Sequence, residues 1–371
     1  MRIGVPKEIK ADESRVGLTP ESVRELVAGG HAVCVQAGAG DGIEAGDDAY
    51  REAGARIVAT AAEIFADAEL VVKVKEPLAA ERAHLRPGQA LFTYLHLAPD
   101  PVQARDLLAS GAIAIAYETV SAPGGGLPLL APMSEIAGRM AAHVAAHFLE
   151  RPHGGRGVLL SGASGVAPAQ VLVLGAGVVG ANAARLAARM GARVSLLNRS
   201  LPALQRVAAE PGLRTQLATP EAIAAALGEA DAVIGAALVP GALAPRLVTR
   251  GMLSGMRRGA VMIDVSIDQG GCFETSRPTT HADPVYAVDG ILHYCVANMP
   301  GAVPRTSTYA LNRATQPFVQ ALAGRGIEAA LRADPQLRDG LTVHRGAITR
   351  AEVAEALGCP FVDPLRALGG A

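Results

Sequence analysis

"QVLVLGAGVVG", residues 170–180, decides how this chain is read. The apolar run Val171 to Leu174 leads straight into Gly175, Gly177 and Gly180, and the helical run "ANAARLAARMG" follows at once. G-x-G-x-x-G alone is a weak pattern. Between a strand and a helix, with a second strand "ARVSLLN" ending at Asn198, it reads as the first βαβ unit of a dinucleotide-binding fold. Gly175 permits the tight turn. Gly177 lets backbone N–H groups approach a pyrophosphate, with Val178 next in line. Gly180 lets the helix pack close to the strand, and the helix N-terminus offers partial positive charge.

The end of the second strand normally carries a carboxylate, which bonds a ribose 2′-hydroxyl and repels a 2′-phosphate. Here "LLNRS" places Asn198 there, with Arg199 beside it. Asn198 keeps a hydrogen bond to the hydroxyl and applies no repulsion, and a guanidinium pairs well with phosphate. Two readings stay open: relaxed or NADP-leaning choice, or ordinary NAD binding with Arg199 over the adenine or in solvent.

Outward from this turn, short β-rich runs alternate with Ala-rich helical runs. "HAVCVQAG", "ELVVKVKEP", "QALFTYLHLA" and "AIAIAYETV" form one block, separated by helical "PESVRELVAGG", "DAYREAGA" and "PVQARDLLASG". "QVLVLGAG", "ARVSLLN", "DAVIGAAL" and "AVMIDVSID" form another. The alternation predicts an α/β protein of two doubly wound, Rossmann-like domains with parallel sheets. Two long helical runs, residues 134–150 and "TYALNRATQPFVQALAGRG", read as bridging helices. The expected division is a discontinuous substrate domain, 1–129 and 306–371, around a cofactor domain, 130–305.

At 371 residues, with half of them hydrophobic, the chain can bury two cores. A net charge of −1 gives no global field for nucleic acid or an anionic membrane, and 3% aromatic residues without Trp leave little for base stacking. The start, "MRIGVPKEIK", is charged where a signal peptide needs an apolar run, and no stretch approaches a membrane span. Cys34, Cys272, Cys295 and Cys359 show no C-x-x-C spacing and read as small buried hydrophobes in a reduced, cytoplasmic setting.

Candidate chemistry lies at strand ends, where open α/β sheets collect ligands. Lys75 follows "LVVKV" and His96 follows "FTYL". A buried lysine there is costly unless it meets an anion. Each also has a structural reading, as a satisfied ion pair or a core histidine. Arg15 by itself reads as a surface charge. Asp268, after "AVMIDV" and before two glycines, either faces a nicotinamide or caps a turn. Glu118 is either a metal ligand or a buried, paired carboxylate. His143 and His147, one turn apart with Glu150 beyond, suggest zinc only weakly, since H-E-x-x-H is absent. No metal is expected.

"MRIGVPKEIKADESRVGLTP", "VVKVKEP", "YLHLA", "PMSEIAGRM", "VLVLGAGVVGANAARLA", "IDQGGCFETSRPTT" and "YCVANMPGAVPRTSTYAL", in this order over the whole chain, resemble the alanine dehydrogenase/nicotinamide nucleotide transhydrogenase family, on its alanine dehydrogenase side. The resemblance implies a homohexameric enzyme that converts L-alanine to pyruvate and ammonia with NAD. It implies Arg15 as the clamp on the substrate carboxylate, Lys75 on carboxylate and carbonyl oxygen, and His96 on the carbonyl. Asp268 matches the acid/base group by the nicotinamide, and Ser134 and Asn298 match positions lining the cofactor. Asn198 departs from the family's acidic residue, so NADP joins NAD as a candidate. Competing readings are the cofactor-binding subunit of a transhydrogenase and a silent NAD(P)-binding protein. Glycine and 2-aminobutyrate remain open as side substrates.

Overall fold

The computed structural model describes residues 1–237 and 244–369. The strands, in chain order, are β1 (Arg2–Val5), β2 (Ala32–Gln36), β3 (Arg56–Val58), β4 (Leu70–Val72), β5 (Ala90–Thr93), β6 (Ile113–Ala116), β7 (Gln170–Leu174), β8 (Arg193–Asn198), β9 (Leu213–Leu217), β10 (Ala232–Gly235), β11 (Val261–Asp264), β12 (Val285–Val288), β13 (Ile291–Tyr294), β14 (Leu341–His344) and β15 (Ala347–Ile348). They form two sheets in two compact units. One unit holds Met1–Met133 and the described residues from Val303 onward. The other holds the described residues from Ser134 to Ala302. The far end of the predicted strand "DAVIGAAL", Leu238, lies outside the described residues.

The first unit's sheet runs β15-β14-β6-β5-β4-β1-β2-β3, with β1 to β6 mutually parallel. Connecting helices begin and end as the sequence chemistry requires. Thr19 caps Pro20–Ala28 by accepting the Ser22 N–H at 3.3 Å. Asp100 caps Pro101–Ser110 by accepting the N–H groups of Val102 and Gln103, and Gly111 ends that helix at φ 67°. The chain runs outward from β1 in one direction and from β4 in the other. The carboxyl ends of β1 and β4 therefore flank the switch point where such sheets bind ligands.

The second unit's sheet runs β12-β13-β11-β10-β7-β8-β9, with its switch point between β7 and β10. Alternation within the strands shows why both faces are covered. Val171, Val173, Leu196, Ile234 and Ile263 bury into one core. Leu172, Leu174, Leu197, Val233 and Met262 bury into the other. A strand apolar on both faces needs helices on both.

Two sheet edges depart from the parallel expectation. β12 pairs antiparallel with β13, and β14 with both β6 and β15. The cause is local. Asp289 and Gly290 (φ 53° and 85°) join β12 to β13, and Arg345 and Gly346 (φ 48° and 90°) join β14 to β15. Two left-handed residues in a two-residue loop make a tight hairpin, which leaves no room for a crossover.

The long helices are Ala131–Phe148 and Pro304–Arg325. The chain passes into the second unit three residues into the former and returns just before the latter. Among the described residues no helix is long and apolar enough to cross a membrane.

The glycine turn at the second switch point is sterically forced. A Cβ on Gly175 (φ 117°) would lie 2.4 Å from the Ala236 carbonyl oxygen, and one on Gly180 would lie 1.8 Å from that of Gly175. A Cβ on Gly177 would meet nothing within 4 Å. Gly180→Ala is therefore expected to cost about 1–3 kcal/mol and to lower the thermal midpoint by several degrees. Gly177→Ala should leave the midpoint within a degree or so of the parent. Calorimetry of the two variants checks the contrast.

Candidate active site

In the first unit the charged side chains of the candidate site follow the carboxyl ends of neighbouring strands. Glu8 comes after β1, Lys73 and Lys75 after β4, His96 after β5 and Glu118 after β6. Arg15 lies in the crossover from β1 to its helix.

Arg15 is 2% exposed, not the surface charge its sequence context predicts. Its Nε donates to Glu13 at 2.7 Å, its Nη2 pairs with the same carboxylate, and its Nη1 reaches Met133 Sδ at 3.0 Å. Burial lowers the guanidinium's pKa, but Glu13 more than compensates and raises it, so the charge is retained. Glu13 thus fixes the plane of the fork.

Lys75 is buried, with Nζ 3.8 Å from Glu76. Its carbonyl accepts the Thr93 hydroxyl at 2.8 Å, and its N–H points at Glu8 Oε1 at 3.4 Å. Glu8 also accepts the Val74 N–H at 2.7 Å. Its other oxygen takes Lys73 Nζ at 3.0 Å, and Lys73 reaches Glu81 at 2.6 Å. Burial pushes the Lys73 ammonium down, while Glu8 and Glu81 push it up and prevail. Lys73, fully buried two residues from Lys75, is a structural cation that the sequence reading missed.

His96 sits at φ 46°, in the left-handed region. Glu118 accepts its N–H at 2.7 Å and the Leu95 N–H at 3.2 Å, which holds that turn. Glu118 is therefore a backbone-bonding carboxylate. The His96 ring stacks on Tyr94, 5.9 Å between centroids and 14° between planes. The Tyr94 hydroxyl donates to the Leu129 carbonyl, and burial raises its pKa far beyond working pH. Tyr94 is thus an apolar wall with a satisfied tip. Arg15, Lys75 and His96 share this one unit, linked through Glu8, Glu76 and Tyr94.

In the second unit the helix Val178–Arg189 opens at Gly177 with no side-chain cap, and Val178 is 46% exposed. An uncapped helix start beside a glycine whose Cβ direction is clear fits a diphosphate. Asn198 ends β8, where its Oδ1 accepts the Ala176 N–H at 3.3 Å and its Nδ2 donates to the Ser200 carbonyl at 3.2 Å. It thereby ties the glycine turn to its own turn. Arg199 is exposed and has no ion-pair partner among the described residues. Ser134 is half-buried in the helix Ala131–Phe148.

Asp268 is exposed on the loop after β11, and its Oδ2 faces the N–H of Asn298 at 3.4 Å. Asn298 is buried at φ 60°. The loop is anchored by Asp264, which sequence reasoning passed over. Its carboxylate accepts the N–H groups of Ser266 (3.0 Å), Cys272 (2.9 Å) and Phe273 (3.3 Å) and the Ser276 hydroxyl (2.5 Å). Burial raises its pKa against those bonds. All four cysteines are free, three of them buried.

The metal reading also changes. Among the described residues, potential ligands cluster at His147, Glu150 and His153, without His143.

A unit with a glycine-turn dinucleotide cradle, and a unit whose switch point carries buried cations, define a nicotinamide-dependent oxidoreductase of two α/β units. Residues 4–137 match the alanine dehydrogenase/PNT N-terminal domain, and residues 141–351 the C-terminal domain. The chain belongs to that family. It is 56% identical, over all of both chains, to the alanine dehydrogenase of Halomonas elongata. A solved L-alanine dehydrogenase matches with TM-score 0.91 and 47% identity, covering 96% of this chain and 99% of that one. The transhydrogenase of Sinorhizobium meliloti matches at 0.79 and 27%, covering 95% and 99%.

Glu76 generates a pH prediction. Burial raises its pKa, but Lys75, Lys10 and His96 outweigh burial and hold it below the ordinary carboxylate value. An unfolded glutamate then binds more protons than native Glu76 over that window. Its stabilisation is present above about pH 4.5 and is lost as pH falls through the depressed value. Glu76→Gln should flatten the acid limb of a urea-midpoint against pH curve and leave its shape near neutrality unchanged.

Proposed function

We propose that this chain catalyses the reversible oxidative deamination of L-alanine to pyruvate and ammonia, with NAD or NADP as hydride acceptor. The observation that supports this most is that one unit carries Arg15 in the crossover from β1, Lys75 past the end of β4 and His96 past the end of neighbouring β5, in a chain 56% identical end to end to an alanine dehydrogenase. Gly175, Gly177, Val178, Gly180, Ser134, Asn198, Arg199 and Asn298 would hold the dinucleotide. When bound, its nicotinamide supplies the acceptor for the hydride leaving the alanine Cα.

The remaining work falls to the side chains. Alanine offers a carboxylate and an amine to grip. Arg15, oriented by Glu13, and Lys75 bind the carboxylate. Once the hydride has left, water adds to the carbon and ammonia departs, so negative charge develops on oxygen. Lys75 and His96 are the fixed donors that stabilise it. Asp268, exposed on the loop after β11, takes the proton that the added water loses and hands one to the amine, which then leaves as ammonia. A single methyl side chain is selected by excluding larger ones, whereas a smaller one is hard to reject. The homohexamer and the cytoplasmic setting belong to the same proposal.

Steady-state assays with alanine, and in reverse with pyruvate, ammonia and reduced cofactor, test the activity. Lys75→Ala and His96→Ala should each lose at least about a hundredfold in kcat, while dinucleotide binding by fluorescence titration stays near the parent value. Wild-type turnover in either variant removes that residue's role.

A second measurement concerns the cofactor. Asn198→Asp keeps an acceptor for Ala176 N–H and adds repulsion toward a 2′-phosphate. The ratio of kcat/KM for NAD over NADP should rise about tenfold or more. An unchanged ratio would show that this position does not set the choice.

A further inference from the structure

We propose that His147, Glu150 and His153 form a zinc-binding site at the end of the helix Ala131–Phe148, a site independent of the dehydrogenase chemistry. The three residues recur at a spacing of three, and the backbone follows the same spacing. The Glu150 N–H donates to the His147 carbonyl at 3.2 Å, and the His153 N–H donates to the Glu150 carbonyl at 3.2 Å. The helix ends at Phe148, Glu150 is extended (φ −70°, ψ 143°), and a separate 3₁₀ turn, Arg151–His153, follows, which Gly154 ends at φ 90°. These two successive turns fold the chain back on itself just past the helix end, which brings His147, Glu150 and His153 together there.

The side chains meet as the backbone dictates. The two imidazoles lie 3.7 Å apart between centroids, tilted by 33°. Phe148, buried beneath them, packs edge-on to the His147 ring at 4.9 Å and contacts the His153 ring at 6.1 Å. His153 Nε2 is 3.6 Å from Glu150 Oε2. One ligand atom from each of the three lies within 4.8 Å of the others. Ligand atoms on one tetrahedral zinc sit roughly 3.3 Å apart, so a small rotamer adjustment of exposed side chains closes the set.

Two imidazoles and one carboxylate are the donors zinc accepts. Hard dications such as Mg²⁺ prefer all-oxygen sites and fit poorly. The cluster faces solvent, so the remaining coordination position would be water.

The test is calorimetric titration of the chelator-treated full chain with zinc chloride. Binding at one equivalent per chain is expected, persisting in 1 mM Mg²⁺. His147→Ala and His153→Ala should each weaken it at least about tenfold. His153→Gln, which keeps size and polarity, should weaken it equally, and circular dichroism should show all three folded. His143→Ala, one turn upstream and outside the cluster, should bind as the parent does. Absence of zinc binding below about millimolar concentration, or affinity unchanged in His153→Ala, overturns the proposal.

Discussion

Buried positive charge in the first unit is tolerable only because each cation is met by a carboxylate: Arg15 by Glu13 and Lys75 by Glu76 close by in the chain, and Lys73 by the distant Glu8 and by Glu81. Taking an ammonium or guanidinium out of water costs several kcal/mol even after relaxation. An opposite charge about 3 Å away returns a similar amount, roughly 5 kcal/mol at the effective dielectric that fits proteins best. The two nearly cancel. The Lys73 pairs with Glu8 and Glu81, and the Arg15 pair with Glu13, therefore add little net stability. They fix position. Glu8 shows this most directly, because one carboxylate neutralises Lys73 and also bonds the backbone leading to Lys75. A shift of that carboxylate would unpair a buried lysine and release the strand end that carries Lys75.

The second unit meets a different constraint, the close approach of backbone to backbone. Gly175 and Gly180 are squeezed between neighbouring carbonyls, and a Cβ on Gly138 would lie 2.3 Å from the Val179 carbonyl oxygen. The helix Ala131–Phe148 thus packs against the helix that starts at the glycine turn, with glycine as spacer. Gly177 alone of the turn's three glycines faces open space. Packing explains two of the three, and the third is explained by room for an anion at the helix start.

The features legible in the sequence were those fixed by local backbone geometry. The glycine turn, the capped helices and the apolar strands each carry their reason within a few residues. The buried charges do not. Glu8 and Lys73 are 65 residues apart, and Arg15 amid "ADESRVG" has the composition of a surface loop. Nothing local announces that Glu13 will follow it into the interior. The antiparallel edges were written in "VDGI" and "HRGA", yet those signals sit between strands too short to stand out against the parallel pattern. His153 went unread because it lies beyond the helical run, after the extended Glu150, where no helical period ties it to His147. Asp264 was passed over because a carboxylate at a strand end invites a catalytic reading, and the neighbouring Asp268 satisfied it.

Asn198 shows how a backbone requirement constrains a specificity position. The residue at the end of β8 must accept the Ala176 N–H, and either Asn or Asp can do that. Only Asn can also donate to the Ser200 carbonyl. A carboxylate there would face that carbonyl with like partial charge and would need a ribose hydroxyl or water to take up its second oxygen. The amide therefore stiffens the turn before any ligand arrives, whereas a carboxylate gains its full complement of partners only with one. The amide's cost is the loss of electrostatic exclusion, and the exposed guanidinium of Arg199 shifts the local potential further toward phosphate. Preorganisation of the turn, and the tolerance of a 2′-phosphate that the proposed use of NADP requires, thus rest on the same single-atom difference.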